Sequence, residues 1–378
     1  MGTGPAVNAA AHPGPLAGGM PAEWAVHERT WMAFPCPNET FGAEGTASLA
    51  AAREAWARVA ATLVRYEPVT LLAGTGQVRQ ARDLVPGEVD VVEVPLDDAW
   101  LRDSGPTFVT DLSSPTGLAA VDWIFNGWGA QPWASWTYDA LLGGRLAELA
   151  GHRVRPSLLV TEGGGFCTDG EGTVLLTDTV QLDPRRNPGW TRTEVEAELH
   201  SKLGTSTAVW LPRGLTRDYD RFGTRGHVDL LACFLAPGLV AVHTQHDPEH
   251  PDHEVSAEAA ALLRVATDAA GRNLDVVELP APRAGYEPDG RPTDYSYINH
   301  YVANGVVLLP TFDDPHDERA AEVLRRAYPD RVIEPIPGNT SRTLFAFGGG
   351  VHCITQQQPA RSEPATQPGT QQGEQSCD

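Results

Sequence analysis

The sequence predicts a single toroidal α/β domain assembled from about five similar modules. Short apolar strands follow glycines at Gly105, Gly172, Gly238 and Gly305, at spacings of 67, 66 and 67 residues, and recurrence on this scale marks a repeat architecture. Helical stretches of similar length alternate with those strands. Each unit is too small to bury its own apolar face, so the copies must pack around a common centre. An open doubly wound sheet shares the alternation, but it gives no reason for near-equal spacing.

Taken in order, the strands after those glycines read Pro-Thr-Phe-Val-Thr, Thr-Val-Leu-Leu-Thr, Leu-Val-Ala-Val-His and Val-Val-Leu-Leu-Pro. Each is expected to pair with an upstream strand: Val89–Pro95, Val154–Glu162, Ala208–Pro212 and Leu274–Pro280, with Arg331–Pro337 starting a further copy. Helices are expected over Ser48–Tyr66, Ser135–Ala150, Thr191–Leu203, Val255–Ala270 and Pro315–Tyr328, where apolar residues recur every three or four positions. Thr191 with Glu194 forms a capping-box signature, Ser256 precedes an alanine-rich run, and Gly204 and Gly271 sit where helix-ending glycines belong.

Residues 1–20 are rich in Gly, Ala and Pro, and residues 360–378 are Gln, Pro, Ser and Gly with almost nothing apolar. Both ends read as disordered tails around one folded domain spanning 21–359. The 378-residue chain is 41% hydrophobic, enough for a sizeable core. No run of about 18 apolar residues and no secretory leader is evident, so the protein is expected in the cytoplasm without membrane contact.

Five scattered cysteines, Cys36, Cys167, Cys233, Cys353 and Cys377, contain no CxxC pair. That argues for free thiols rather than a disulfide framework or a thiolate zinc site. With 28 basic against 49 acidic residues the formal charge is −21, which repels nucleic acid and favours cationic ligands.

If the modules surround an axis, the loops between the two strands of each module converge on it. Those loops hold Asp97 to Pro106, Glu162-Gly-Gly-Gly165, Arg225 to Asp229, Tyr295 to Asn299 and the Gly348-Gly-Gly-Val-His-Cys353 bend. Taken singly, Asp103 caps a turn and His227 is an ordinary structural imidazole. Together, a Cys, a His and several carboxylates supply a nucleophile, an acid–base group in the right range, and anionic seats for a planar cation. Strand alternation is expected to place His227 and Asp229 on one face. Paired carboxylates suit a guanidinium, whose donors form a planar fork.

These residues resemble the agmatine deiminases and related bacterial peptidyl-arginine deiminases of the guanidine-modifying pentein superfamily. The resemblance rests on Met20-Pro-Ala-Glu-Trp24, His27 to Pro35, Asp98-Ala-Trp-Leu-Arg-Asp-Ser-Gly-Pro-Thr-Phe108, Glu162 to Gly165, Gly226-His-Val-Asp229, Tyr297 to Gly305 and Gly348 to Pro359. It implies a fivefold pseudo-symmetric β/α propeller, in agreement with the spacing. It also implies that Cys353 attacks the guanidinium carbon, that His227 shuttles protons, and that Asp103 and Asp229 bind the guanidinium nitrogens. Glu162 would orient His227 or contact substrate, and Trp100 would wall the pocket. No metal and no organic cofactor are implied. The substrate would be a small cationic guanidine, agmatine first, with peptidyl-arginine or another guanidino metabolite as alternatives. The resemblance is also compatible with a homo-oligomer. Only Val351 separates Gly350 from His352, where the family pattern carries two residues.

A rival reading is a metal-dependent ureohydrolase, prompted by the dense ligand types of His246 to Glu254. Two prolines break any regular ligand spacing there, and a charged lead into the following helix explains the segment better. A non-catalytic guanidine-binding module is the remaining alternative.

Overall fold

The computed structural model describes residues 18–286 and 291–361. Within them the backbone forms five small sheets, each built on one plan: an antiparallel pair, a crossover helix, and a third strand parallel to the pair's second. Blade 3 runs Phe166–Thr168, Thr173–Thr177, helix Arg192–Leu203, then Thr207–Leu211. Blade 4 runs Ala232–Ala236, Leu239–Thr244, helix Asp252–Val265, then Asp275–Pro280. Blade 5 runs Tyr301–Ala303, Val306–Pro310, helix Asp317–Ala327, then Val332–Ile336. Blade 2 uses Thr107–Asp111, Leu118–Ile124, helix Leu142–Leu149 and Arg153–Val160.

Blade 1 joins the two ends of the folded chain. Thr355–Pro359 pairs antiparallel with His27–Ala33, which continues in parallel to Val69–Ala73 and Asp90–Glu93, with helix Ala47–Leu63 as the crossover. The middle strands read as unbroken apolar runs because both of their faces are covered. Val174, Leu175 and Leu176 are fully buried, as are Val306, Val307 and Leu308. Each such side chain contributes roughly 1.5–3 kcal/mol of burial.

The toroidal α/β expectation holds, but the module boundaries shift. The strands expected to pair across each functional loop lie in neighbouring sheets, so the loops connect blades rather than strands of one blade. Hairpin closure explains the difference. Gly117, Gly172, Gly238 and Gly305 all have positive φ and turn the hairpin inside a blade. Gly105 has φ −81° and serves instead as the end of a short helix, where an added Cβ would lie 2.5 Å from the Leu101 carbonyl oxygen. Its 67-residue offset from Gly172 is therefore coincidental, and the equivalent position is Gly117.

The Thr191–Glu194 capping box forms as read, and Gly204 closes that helix in the left-handed region. Val195, Leu199 and Leu203 supply its buried stripe. Two other helix expectations shift. Asn126 caps a four-residue turn and residues 131–138 wrap across the blade, so the helix expected from Ser135 begins at Leu142, after a single 3-10 turn. The helix expected from Val255 starts at Asp252 and stops at Val265. Ser256 lies inside it, its hydroxyl accepting the Gln245 N–H, and Gly271 turns a separate loop closed by Asp268.

Residues just ahead of the expected boundary at residue 20 take part in the described fold. Gly18–Gly19 adds a short strand to blade 2, and Met20 is buried. At the other end the Ala360 N–H still reaches the Val26 carbonyl. Residues 1–17 and 362–378, including Cys377, lie outside the described residues, as do residues 287–290. Cys36, Cys167, Cys233 and Cys353 are all unpaired thiols. Among the described residues, no helix is long and apolar enough to cross a membrane.

Candidate active site

Five inter-blade connections deliver the polar residues to the axis. Asp103 sits in the one-turn helix Leu101–Ser104, Glu162 precedes the turn Gly163–Gly165, and His227 precedes the turn Val228–Leu230. Asn299 ends the turn Tyr297–Asn299, and Cys353 lies between helix Gly338–Ala346 and strand Thr355–Pro359. The expected strand at His227-Val228-Asp229 is thus a 3-10 turn. It still brings both side chains to one place, with His227 Nδ1 3.9 Å from Asp229 Oδ1. Cys353, His227, Asp103, Asp229, Glu162 and Trp100 are all buried at the same focus.

His227 is held from two directions. Its Nε2 is 3.2 Å from Glu162 Oε2, and its Nδ1 faces Asp103 Oδ1 at 3.8 Å with no hydrogen-bond partner. Burial alone would lower its pKa, but the Asp103 charge and the Glu162 bond outweigh burial and raise it to about 9. Glu162 is itself fully buried and clasped by Arg186, whose Nε lies 2.9 Å from Oε1. Burial pushes the Glu162 carboxyl up, while Arg186 and then His227 bring it below the usual carboxylate range. Arg186 in turn bonds Asp183 Oδ2 at 3.1 Å and the Thr224 carbonyl at 2.7 Å. Both Glu162 oxygens are engaged, so its geometry fits the orienting role rather than substrate contact.

Asp103 and Asp229 face each other across a gap that Gly164 leaves open. A Cβ on Gly164 would lie 2.5 Å from His227 Nδ1, 2.9 Å from Asp229 Oδ2 and 3.0 Å from Asp103 Oδ1. The Asp103 carboxylate accepts the Trp128 indole N–H on Oδ2 at 2.9 Å and the Gly164 N–H on Oδ1 at 3.2 Å. Burial raises its pKa to about 6; His227 opposes that rise, whereas Asp229 and Glu162 add to it. Trp128 reaches this position because its backbone adopts φ 55°, a conformation that costs a bulky residue strain.

The thiol of Cys353 lies 3.6 Å from Asp229 Oδ2 and accepts the Asn299 amide N–H at 3.2 Å. Burial, then Asp229 and Asp103, push its pKa well above the ordinary thiol range. Without a cation beside it, the group is a neutral thiol at neutral pH. Gly349 fits between sulfur and wall, since a Cβ there would lie 2.9 Å from both Cys353 Sγ and Trp100. Trp100 packs edge-on against Trp56 at 5.2 Å. Over the gap, Trp128 stacks on Trp133 at 5.2 Å and Trp133 meets Phe222 at 5.3 Å, a small aromatic roof.

Sequence reasoning gave Asn299 no role and left out Arg186, Trp128, Gly164 and Glu23. Asn299 and Gly164 sat inside the convergent loops, and Glu23 lay inside a quoted motif. Arg186 and Trp128 carried no local signal: Arg186 is brought in by the packing of blade 3, and Trp128 by a left-handed backbone ahead of the blade 2 helix. The rival segment His246 to Glu254 is distant in function from this centre. His250 accepts the Asp252 N–H on Nδ1 and bonds the Gly285 carbonyl through Nε2, which are structural duties. Among the described residues, no group of His, Cys, Asp and Glu is arranged to hold a metal ion.

The sequence profile of the Porphyromonas-type peptidyl-arginine deiminases matches residues 19–359. A Streptomyces coelicolor relative is 59% identical over 90% of this chain and 98% of its own. The agmatine deiminase of Pseudomonas aeruginosa is 38% identical, covering 90% of this chain and 95% of that one. This chain belongs to the agmatine deiminase and peptidyl-arginine deiminase family. The solved agmatine deiminase of Enterococcus faecalis superimposes with a TM-score of 0.83 at 30% identity, over 92% of this chain and 97% of that structure. The deiminase family membership makes the chain a hydrolase acting on a guanidino C–N bond, carried on the fivefold pentein propeller that the family resemblance implied and that agrees with the five-module toroid read from spacing.

Proposed function

We propose that this enzyme hydrolyses agmatine to N-carbamoylputrescine and ammonia through a covalent adduct on Cys353. The observation that carries the reading is the opposed pair Asp103 Oδ1 and Asp229 Oδ1, each within 4 Å of His227 Nδ1, beside a thiol 3.6 Å from Asp229. A guanidinium seated there presents its planar donors to both carboxylates and its carbon to the sulfur. The relatives named as agmatine deiminases support agmatine in particular.

The electrostatics give the order of events. Burial, then Asp229 and Asp103, hold Cys353 in the thiol form; a bound guanidinium offsets the carboxylate charge, so the thiol proton passes to solvent and the thiolate forms beside the electrophile. Thiolate addition gives a neutral tetrahedral adduct. Protonated His227, through Nδ1, then donates to one nitrogen. The C–N bond breaks, ammonia departs, and a cationic S-alkylthiouronium remains. Neutral His227 next takes a proton from water as hydroxyl adds to the same carbon. Collapse breaks the C–S bond, forms the ureido carbonyl and returns the hydroxyl proton to sulfur. Glu162 stays paired with Arg186 and keeps Nε2 fixed, leaving Nδ1 as the shuttling atom. The Trp128–Trp133–Phe222 roof favours a slender substrate over a protein chain.

Four unpaired thiols support operation in a reducing compartment, the cytoplasm. The deciding assay incubates purified protein with agmatine, free arginine and a peptide ending in arginine while ammonia and urea are measured. Ammonia from agmatine, undiminished by chelator, is the expected result. Urea release, or turnover of arginyl peptide alone, overturns the assignment.

A further inference from the structure

Behind the reacting face, Asp229 is held by a residue with no assigned part in the chemistry above. His352 Nδ1 lies 2.8 Å from Asp229 Oδ2, and its Nε2 lies 2.8 Å from Glu23 Oε1. Glu23 belongs to the N-terminal segment, 329 residues away in sequence. A neutral imidazole has one N–H and can donate to only one of these carboxylates; an imidazolium donates to both. Two short contacts to two carboxylates therefore describe a buried cation bridging two anions.

The consequence falls on Asp229. Its Oδ2 is occupied by His352, whereas its Oδ1 is buried without a protein partner and points toward His227 Nδ1 at 3.9 Å. Oδ2 is also the oxygen 3.6 Å from the Cys353 sulfur, where an uncompensated negative charge opposes thiolate formation. We propose that His352 is a positioning residue: as an imidazolium bridging Glu23 and Asp229, it neutralises the Asp229 oxygen beside the sulfur and reserves the other for the guanidinium. This rests on the guanidine deiminase reading above.

The groups around His352 are consistent with the charged form. Arg102 Nε donates to the His352 carbonyl at 3.4 Å, and its Nη1 is 4.0 Å from Glu23 Oε1. The ring also borders a cavity of about 10 Å³, lined with it by Glu23, Asp229, His300, Cys167, Cys233 and Tyr328 among others. Burial and Arg102 would lower the His352 pKa, yet Glu23 and Asp229 leave it raised. Burial pushes the Glu23 carboxyl up, but His352 and Arg102 hold it at about 2. His300, lowered to about 4 by burial, is neutral at working pH.

The test compares wild type, His352→Asn, His352→Ala and Glu23→Gln, all checked by thermal melting. An asparagine amide can still donate to Asp229 from the Nδ1 position; alanine cannot. With agmatine, His352→Ala should raise KM about tenfold or more, and His352→Asn should recover much of that loss. Glu23→Gln should shift the alkaline limb of kcat/KM downward by about one pH unit, because the bridging cation loses one anion. Nitrogen NMR of labelled histidine gives an answer independent of turnover: both His352 nitrogens should be protonated at pH 8 in wild type and titrate lower in Glu23→Gln. A neutral His352 ring at pH 7, or a folded His352→Ala variant with the wild-type KM and kcat for agmatine, overturns the inference. Absence of ammonia from any guanidine, with the imidazolium present, removes the functional reading and leaves the bridge standing.

Discussion

Glu162 holds His227 Nε2 at 3.2 Å while Arg186 holds Glu162 at 2.9 Å. These three fully buried groups form a chain of alternating charge whose last member is the proposed proton carrier. Removing one link leaves its neighbour buried without compensation. Arg186→Met should therefore cost about 3–5 kcal/mol of stability, because the fully buried Glu162 loses its guanidinium and Asp183 keeps only the partly exposed Arg225 at 3.4 Å. Urea unfolding of wild type and variant measures it, and a change under 1 kcal/mol would show that the clasp is dispensable.

Glycine at position 164 is required by what surrounds it rather than by its own backbone. Its missing Cβ would lie 2.5 Å from His227 Nδ1, inside the guanidinium seat. Gly164→Ala should reduce kcat/KM for agmatine by about 100-fold or more, since a misplacement of about 1 Å at the reacting centre is enough for that loss. The melting temperature should change little by comparison. Steady-state kinetics beside a thermal melt separates the two effects.

Cys353→Ala should abolish ammonia release, a loss on the order of 10⁴-fold or greater for a covalent nucleophile, while agmatine still raises the melting temperature. In the wild type, iodoacetamide should inactivate the free enzyme slowly at pH 7 and progressively faster as pH rises past 9, because burial and two carboxylates hold the thiol protonated. A rate already at its maximum at pH 7 contradicts the reading.

The raised pKa of His227 has a defined sign in stability. Its ordinary value is 6.5 and its folded value about 9, so the folded state binds this proton more tightly than the unfolded chain. The stabilisation is complete below about 6.5 and is lost as pH rises through 9, with a ceiling of about 3 kcal/mol. Denaturant titrations at pH 7, 8, 9 and 10 should show the fall, and His227→Gln should flatten it. An unchanged slope in that variant assigns the effect elsewhere.

The toroid was legible because its repeating unit leaves a period in the sequence. The middle strands of blades 3, 4 and 5, each led by a hairpin glycine, recur every 66 or 67 residues. Blade 2 broke the reading: its hairpin turns at Gly117, and Gly105 imitated the period by coincidence. The site residues Cys353, His227, Asp103, Asp229 and Glu162 were legible because reactive groups had to sit in loops that the repeat carries to the axis. Trp128 and Arg186 were not, since the first depends on a left-handed backbone inside an irregular stretch and the second on how blade 3 packs. His352 stood in plain view beside the cysteine, but which oxygen of Asp229 it takes is decided only in three dimensions.

Strand Thr355–Pro359, just after the proposed nucleophile Cys353, completes its blade by pairing with His27–Ala33. In the order of synthesis the carboxylates and His227 leave the ribosome well before the sulfur. A nascent chain thus carries the cation seat without a reactive thiol, and the thiol is placed only when this late strand docks on one of the earliest. Chemistry and completion of the fold become a single event.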